Sequence, residues 1–237
     1  MCVDTGRLAP FRSLLVDQRD EWEPIKMHVP AAYSMTDSDT LRKFLQAHSF
    51  ALLICNGPAA SETNEPPFAV HLPLIADPDD ASCLIGHVAR GNTLWKMADA
   101  KKVLAVFSGP HSYITPIWYG EQNVVPTWNY LTVHVTGTLA IVDDPESALK
   151  IVDHAVRYYE APNDQPWSLE STDHDFREKL VSGIVAFRIQ IESMQGAWKL
   201  SQHHSAERRR RTIEGLRERA SGDDHEIAAM MESHGPC

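Results

Sequence analysis

Tyr130-Leu131-Thr132-Val133-His134-Val135-Thr136-Gly137-Thr138-Leu139-Ala140-Ile141-Val142 alternates polar with apolar side chains through Thr132, His134 and Thr136. A period of two over this length predicts a long strand with one face buried and the other half-open. Working toward the N-terminus, Lys102–Ser108 and Ser112–Ile117 read as two further strands, and Ser82–Val88 as another. Ser49–Cys55 is a strand closed by the turn signal Asn56-Gly57-Pro58, and Ala59–Pro67 is a loop. Phe68–Ile75 is a strand whose Pro73 cannot donate to a ladder, which implies an edge or a bulge. Beyond the central segment, Ile184–Glu192 is the last expected strand.

Helical signals are fewer. Thr36 or Asp37 can cap a helix that places Leu41, Phe44, Leu45 and His48 on one face. Asn92–Ala98 has helical character, and Asp144-Pro145 caps Glu146–Tyr159. Asp173–Leu180, Ala206–Arg219 and His225–Glu232 complete the set. Many strands with short turns and few helices predict a mainly β, α+β chain: an antiparallel barrel with flanking and C-terminal helices, not a doubly wound sheet. No Gly-rich GxGxxG fingerprint, Walker A loop or HExxH occurs, which argues against the nucleotide and zinc folds built on them.

The 237 residues are 43% hydrophobic and 23% charged, the balance of a globular chain that builds a core without staples. A net charge of −10 disfavours non-specific grip on a polyanion such as DNA. No apolar run approaches the ~18 residues of a membrane span. Cys2, Cys55, Cys83 and Cys237 form no CxxC, and Asp17, Asp20, Glu21 and Glu23 break any signal-peptide pattern, so a cytoplasmic location is expected. Residues 1–26 read as an N-terminal extension, 27–200 as the barrel domain with inserted helices, and 201–237 as a C-terminal helical tail.

Three segments are candidates for chemistry. Gly86-His87-Val88-Ala89-Arg90-Gly91-Asn92 joins a strand to a short helix and can cradle an anion with backbone N–H groups and the Arg90 fork; a turn with Arg90 in a surface ion pair is the plainer alternative. Gly109–Tyr130 carries His111, Tyr113, Trp118, Tyr119, Pro126, Thr127, Trp128 and Asn129. That is a rigid ring-and-proline wall suited to a flat ligand, or a loop packed by its own rings. Trp198-Lys199-Leu200-Ser201-Gln202-His203-His204 offers Lys199 to a phosphate. The adjacent His203 and His204 point apart on a helix and make a poor metal pair. Arg208-Arg209-Arg210-Arg211 sits among glutamates and reads as a solvated helix face, with a DNA or partner contact as the lesser alternative.

Taken together, these residues resemble the PaiB-type proteins, described as FMN-binding negative transcriptional regulators with a flavin-reductase-like split β-barrel. The resemblance runs from Met27-His28-Val29-Pro30 through His71-Leu72-Pro73-Leu74, Gly86–Asn92, Phe107–Pro116, Trp118-Tyr119, Val125–Tyr130 and His134–Gly137 to Trp198–Gln202. It implies an FMN-binding homodimer with the cofactor in a cleft between protomers, acting in redox or ligand-dependent regulation. Carried onto this chain, the cofactor residues would be His87, Arg90, Asn92, Tyr113, Pro126, Thr127, Trp128, Asn129, Lys199, Ser201 and Gln202. Arg90 would hold the phosphate, assisted by Lys199 and Ser201, and Pro126–Asn129 would meet the isoalloxazine. The alternative within the same resemblance is haem b, ligated by His87 with Lys199 opposite, in a sensor or a piperazate synthase-like enzyme that closes an N–N bond. Gly91 stands where the family usually has Ala after the Arg, and Thr93-Leu94-Trp95 where it usually has Pro-x-Trp. No catalytic residue is assigned, because no nucleophile–base–orienter set is present. An apolar face rich in rings from Gly109–Tyr130, with Tyr113, Trp118, Tyr119 and Trp128, is expected at the dimer interface.

Overall fold

The computed structural model describes residues 27–57 and 66–235. The N-terminal extension, most of the expected 59–67 loop, Cys2 and Cys237 lie outside the described residues.

Eight strands form one antiparallel sheet: β1 Ser34–Met35, β2 Phe50–Cys55, β3 Phe68–Pro73, β4 Ile75–Ala76, β5 Cys83–Ala89, β6 Lys101–Ile114, β7 Thr127–Val142 and β8 Ile184–Lys199. The order is β3-β2-β6-β7-β8-β5-β4, with β1 added to β8. The sheet curls into a split barrel, as the alternation of the central segment predicts. Leu131, Val133, Val135 and Leu139 of β7 point inward against Phe107, Phe187 and Ile189, all fully buried. Pro73 does sit at an edge: β3 ends there, the chain steps at Leu74, and the Leu74 amide donates to the Ser49 carbonyl at 2.8 Å.

Three strand expectations need correction. Lys102–Ser108 and Ser112–Ile117 are one strand, β6, carrying a bulge between Ser108 and His111. The Gly109–Tyr130 segment is therefore not a loop wall: its two ends are paired strand, and Pro116–Tyr119 is a single 3-10 turn. The last strand does not stop at Glu192 but runs to Lys199, past a register shift opposite Thr136 and Gly137. A side chain at Gly137 would stand 2.3 Å from the Gln190 carbonyl oxygen, so the shifted ladder requires glycine there.

Among the described residues six helices pack around the sheet: α1 Ser38–Ala47, α2 Leu94–Ala98, α3 Pro145–Glu160, α4 His174–Ser182, α5 Ala206–Arg219 and α6 Asp224–Ser233. Asp37, Asp144 and Asp173 cap α1, α3 and α4 through their carboxylates, each occupying an amide that helix geometry leaves free. Leu41, Phe44 and Leu45 of α1 close the inner core, each worth ~1.5–3 kcal/mol if fully buried. On the outer side, Ala148 and Ile151 of α3 cover Ile75, Ile85 and Ala186. The C-terminal helices are part of this body, since Leu216, Ile227, Ala228 and Met231 belong to the barrel's own core.

Candidate functional site

The register of β8 divides the sequence-selected residues into two groups. His87 on β5 pairs with Ala186 near the start of β8, and Arg90 and Asn92 follow it into the turn before α2. At the other end of β8, Lys199 pairs with Tyr130, next to Thr127, Trp128 and Asn129. Ala186 and Lys199 are thirteen residues apart, roughly 40 Å of strand. One chain thus brings Tyr113, Pro126, Thr127, Trp128, Asn129, Lys199, Ser201 and Gln202 together, and holds His87, Arg90 and Asn92 apart from them.

At the Lys199 end, inward and outward side chains do different work. Asn129 and Ser201 are fully buried: the Ser201 hydroxyl donates to Asn129 Oδ1 at 3.0 Å, and Asn129 Nδ2 donates to the Met231 sulfur at 3.3 Å. Gln202 accepts from the Leu200 amide at 2.8 Å and donates to the Trp198 carbonyl. These bonds hold the turn after β8, where Ser201 sits at φ +59°, a conformation a non-glycine residue keeps only under constraint. The outward residues stay open. Trp128 is 51% exposed and meets the Tyr113 ring edge-on at 5.8 Å, and Lys199 Nζ donates to Thr127 Oγ1 at 2.6 Å. Two flat rings beside an ammonium can receive a planar anionic molecule.

Two of the four expected interface rings are otherwise engaged. Tyr119 is only 2% exposed, with Arg208 above its ring at 4.8 Å, and Trp118 lies beneath α5 with Arg219 over its ring at 4.8 Å. The C-terminal helices cover them, so only Tyr113 and Trp128 remain available.

At the other end, Arg90 makes neither a free fork nor a surface ion pair. Its Nε and Nη2 donate to the Ser182 and Ile184 carbonyls, both at 2.7 Å, closing the turn between α4 and β8. Asn92 Oδ1 accepts from the Leu94 amide at 2.8 Å and starts α2. His87 faces an apolar cavity of about 240 Å³ beneath α3, lined by Ile151, Val156, Tyr159 and Trp167. Burial lowers its pKa, which favours the neutral imidazole.

Between the two ends lies a half-exposed sheet surface that the helices leave open. Phe50, Leu52, Ile54, Leu104 and Val106 from β2 and β6 share it with Thr132, His134, Thr136 and Gln195 from β7 and β8. Phe50 is 65% exposed and stacks on His71 at 6.0 Å. Lys199 borders this patch on one side and the Lys102–Glu192 pair on the other, with Arg188, paired to Asp77, beyond it toward His87. On a chain of net charge −10, a neutral, partly apolar surface of this extent is unusual and has the composition of an interface core.

The arginine run is not a uniform solvated face. Arg209 is buried and donates to the Leu200, Met231 and His234 carbonyls. Arg208 pairs with Glu121, Arg210 with Glu207 and Glu214, and Arg211 with Glu207 and the Tyr119 carbonyl. His203 and His204 lie in the turn before α5, not on a helix, and do not point apart: their rings meet tilted at 43° with centroids 3.9 Å apart, and the Tyr33 hydroxyl is 2.6 Å from His203 Nδ1. The local sequence carries no sign of the Arg209 clasp or the helix over Trp118, because both depend on residues far along the chain.

A split β-barrel whose open sheet surface is flanked by rings and cations has the architecture of a flavin-type barrel. The family model "Putative FMN-binding domain" matches residues 27–193. The chain is 33% identical over 208 residues to the Bacillus subtilis "Protease synthase and sporulation protein PAI 2", covering 87% of this chain and 97% of that protein. It belongs to this PaiB-type FMN-binding family. Among solved structures, the FAD and heme binding protein from Mycobacterium smegmatis superimposes with a TM-score of 0.51 at 8% identity, over 70% of this chain and 73% of that one. The Mycobacterium tuberculosis conserved hypothetical protein Rv2991 gives 0.51 at 13% identity, over 76% and 96%. At such identities these two attest the fold alone. Among the described residues no helix is long and apolar enough to cross a membrane.

Proposed function

We propose that this chain is an FMN-binding homodimer whose cofactor lies at the seam between two protomers, acting in redox chemistry or ligand-dependent regulation. The observation that carries the reading is the separation of the two residue groups at opposite ends of β8, with a partly apolar sheet surface between them. A two-fold axis normal to the strands, through that surface, sets the Lys199 end of one chain against the His87–Asn92 end of its partner and generates two equivalent clefts. In each cleft Tyr113, Pro126 and Trp128 would face the isoalloxazine, and Lys199 with the partner subunit's Arg90 would neutralise the phosphate. Asn129, Ser201 and Gln202 would act beneath them by holding the turn, and Asn92 by fixing the start of α2. The residues fit the group: exposed rings, an ammonium and a guanidinium with N–H groups to spare. When bound, FMN supplies reversible hydride and single-electron transfer. The regulatory side of the reading draws on the PAI 2 relative, whose name ties that protein to protease synthesis and sporulation. Titration of purified protein with FMN, followed by quenching of flavin fluorescence, tests the reading: micromolar uptake at one flavin per chain supports it, and absence of uptake ends it.

Haem b is a second reading, favoured by one observation. His87 presents a neutral imidazole to an apolar cavity, the state in which it ligates iron. Lys199 could serve as the opposite ligand only from a second chain. A Soret band that shifts in His87→Ala supports haem, and no uptake on reconstitution removes it.

A further inference from the structure

The pairing of Ser34 with Ala197 brings the 3-10 turn Ala31–Tyr33 beside the last residues of β8. From there the Tyr33 hydroxyl engages His203 Nδ1, in the turn that follows the strand. The contact steadies an exposed imidazole, and His203 Nε2 has no hydrogen-bond partner among the described residues. Partial burial first, then the neighbouring Lys199 and Arg208 charges, lowers the His203 pKa. The Lys199 ammonium donates to Thr127 Oγ1 and pairs with no carboxylate among the described residues.

The other charged groups at this corner answer one another. Arg208 of α5 donates through Nε and Nη2 to Glu121, so those two charges cancel. Its Nη1 donates to His204 Nδ1 at 3.0 Å. Burial, then His203 and Arg208, lowers the His204 pKa to about 4, so that ring stays neutral. What remains is the Lys199 ammonium and the Nε2 edge of His203, with no counter-ion. An anion between them supplies the opposite charge and favours the imidazolium. A phosphate monoester brings close to two charges and three acceptor oxygens, enough for both donors.

We propose that Lys199 and His203, the latter held by Tyr33, form a subsite for a phosphate monoester dianion and select the phosphorylated flavin over uncharged riboflavin. The identity of the ester rests on the flavin reading above; the imidazole, charged as the dianion arrives, is the addition to it. His203 is then a binding residue, and Tyr33 a positioning residue that acts through it.

Inorganic sulfate stays a dianion at every pH the protein tolerates, and so probes the subsite without flavin. Histidine-ring NMR of the full-length protein, at constant ionic strength, identifies the His203 signal by its loss in His203→Gln. Sulfate should move that signal saturably, and should bind about fivefold more tightly at about pH 6 than at about pH 8. Lys199→Gln should weaken sulfate about tenfold. Tyr33→Phe should weaken it less and leave a pH dependence that His203→Gln abolishes. FMN should displace sulfate and move the same signal, while riboflavin leaves it in place. A His203 signal that ignores sulfate, or a sulfate affinity indifferent to pH and to Lys199→Gln, would overturn the subsite. If FMN is taken up with sulfate still bound, the flavin reading stands and the subsite falls. If sulfate behaves as described and FMN is not taken up, the subsite stands and the flavin reading falls.

Discussion

His87 and Lys199 belong to opposite ends of one strand: His87 pairs beside the start of β8 at Ala186, and Lys199 ends the strand thirteen residues later. No single cofactor bridges that span in one chain, and the proposed cleft therefore takes the two groups from two copies. Val106 lies near the middle of the intervening surface, paired with Leu52 and His134. Val106→Glu sets a charge against its own symmetry mate there. Light scattering should show the mass fall from twice 26.6 kDa to 26.6 kDa, with the circular dichroism spectrum retained and FMN uptake lost.

Gly215 of α5 packs directly on Trp118. A Cβ there would lie 2.4 Å from the indole, with no flexible tip to give way. Gly215→Ala gains ~1 kcal/mol of helix propensity but overpacks the contact by ~1–3 kcal/mol. The clash should win: the melting temperature should drop by several degrees, and Trp118 fluorescence should report the displaced ring.

His204 is pushed down to about 4, first by burial and then by the charges of His203 and Arg208. In the unfolded chain it returns to the ordinary 6.5, so between these values the unfolded state binds more protons. Stability should therefore be full above about pH 6.5 and decline as pH falls toward about 4. His48, His87, His134 and His203 are shifted in the same direction, mainly by burial, and add to the slope. Melting curves taken across this window should show the decline, and His204→Gln should flatten it.

The arginine run also predicts a binding result. With Arg208, Arg210 and Arg211 paired to glutamates and Arg209 buried against carbonyls, little charge is left for phosphates. A gel shift on random duplex DNA should show no complex with a steep salt dependence, and Arg210→Ala with Arg211→Ala should change nothing. A complex that dissolves steeply with salt and is lost in that double variant would reverse this conclusion.

What the sequence disclosed follows the range of the forces involved. Caps act within three residues, so Asp37, Asp144 and Asp173 mark their helices locally. Alternation likewise exposes the barrel, through β7 most clearly. Gly109-Pro110 carries the same signal as a strand-ending turn and so hides the bulge in β6, and the sequence of β8 reads as ending where its register shifts. The candidate residues were visible by type, but their division between two ends was not. That division follows from strand pairing, which joins His87 to Ala186 and Tyr130 to Lys199 across long stretches of chain. Burial of Tyr119 and Trp118 by α5 is long-range in the same sense.

The most direct test of the shared cleft is complementation between two defective chains. Arg90→Gln removes the cation at one end, and Lys199→Gln the cation at the other. Each homodimer alone should take up little FMN. When the two chains are co-expressed and the mixed dimer is isolated by two different affinity tags, one of its two clefts has both cations intact. FMN binding should then return to one flavin per mixed dimer at close to the unmodified affinity. If each cleft belongs to a single chain, the mixed dimer carries a defect in both, and uptake no greater than that of the parent variants would contradict the account.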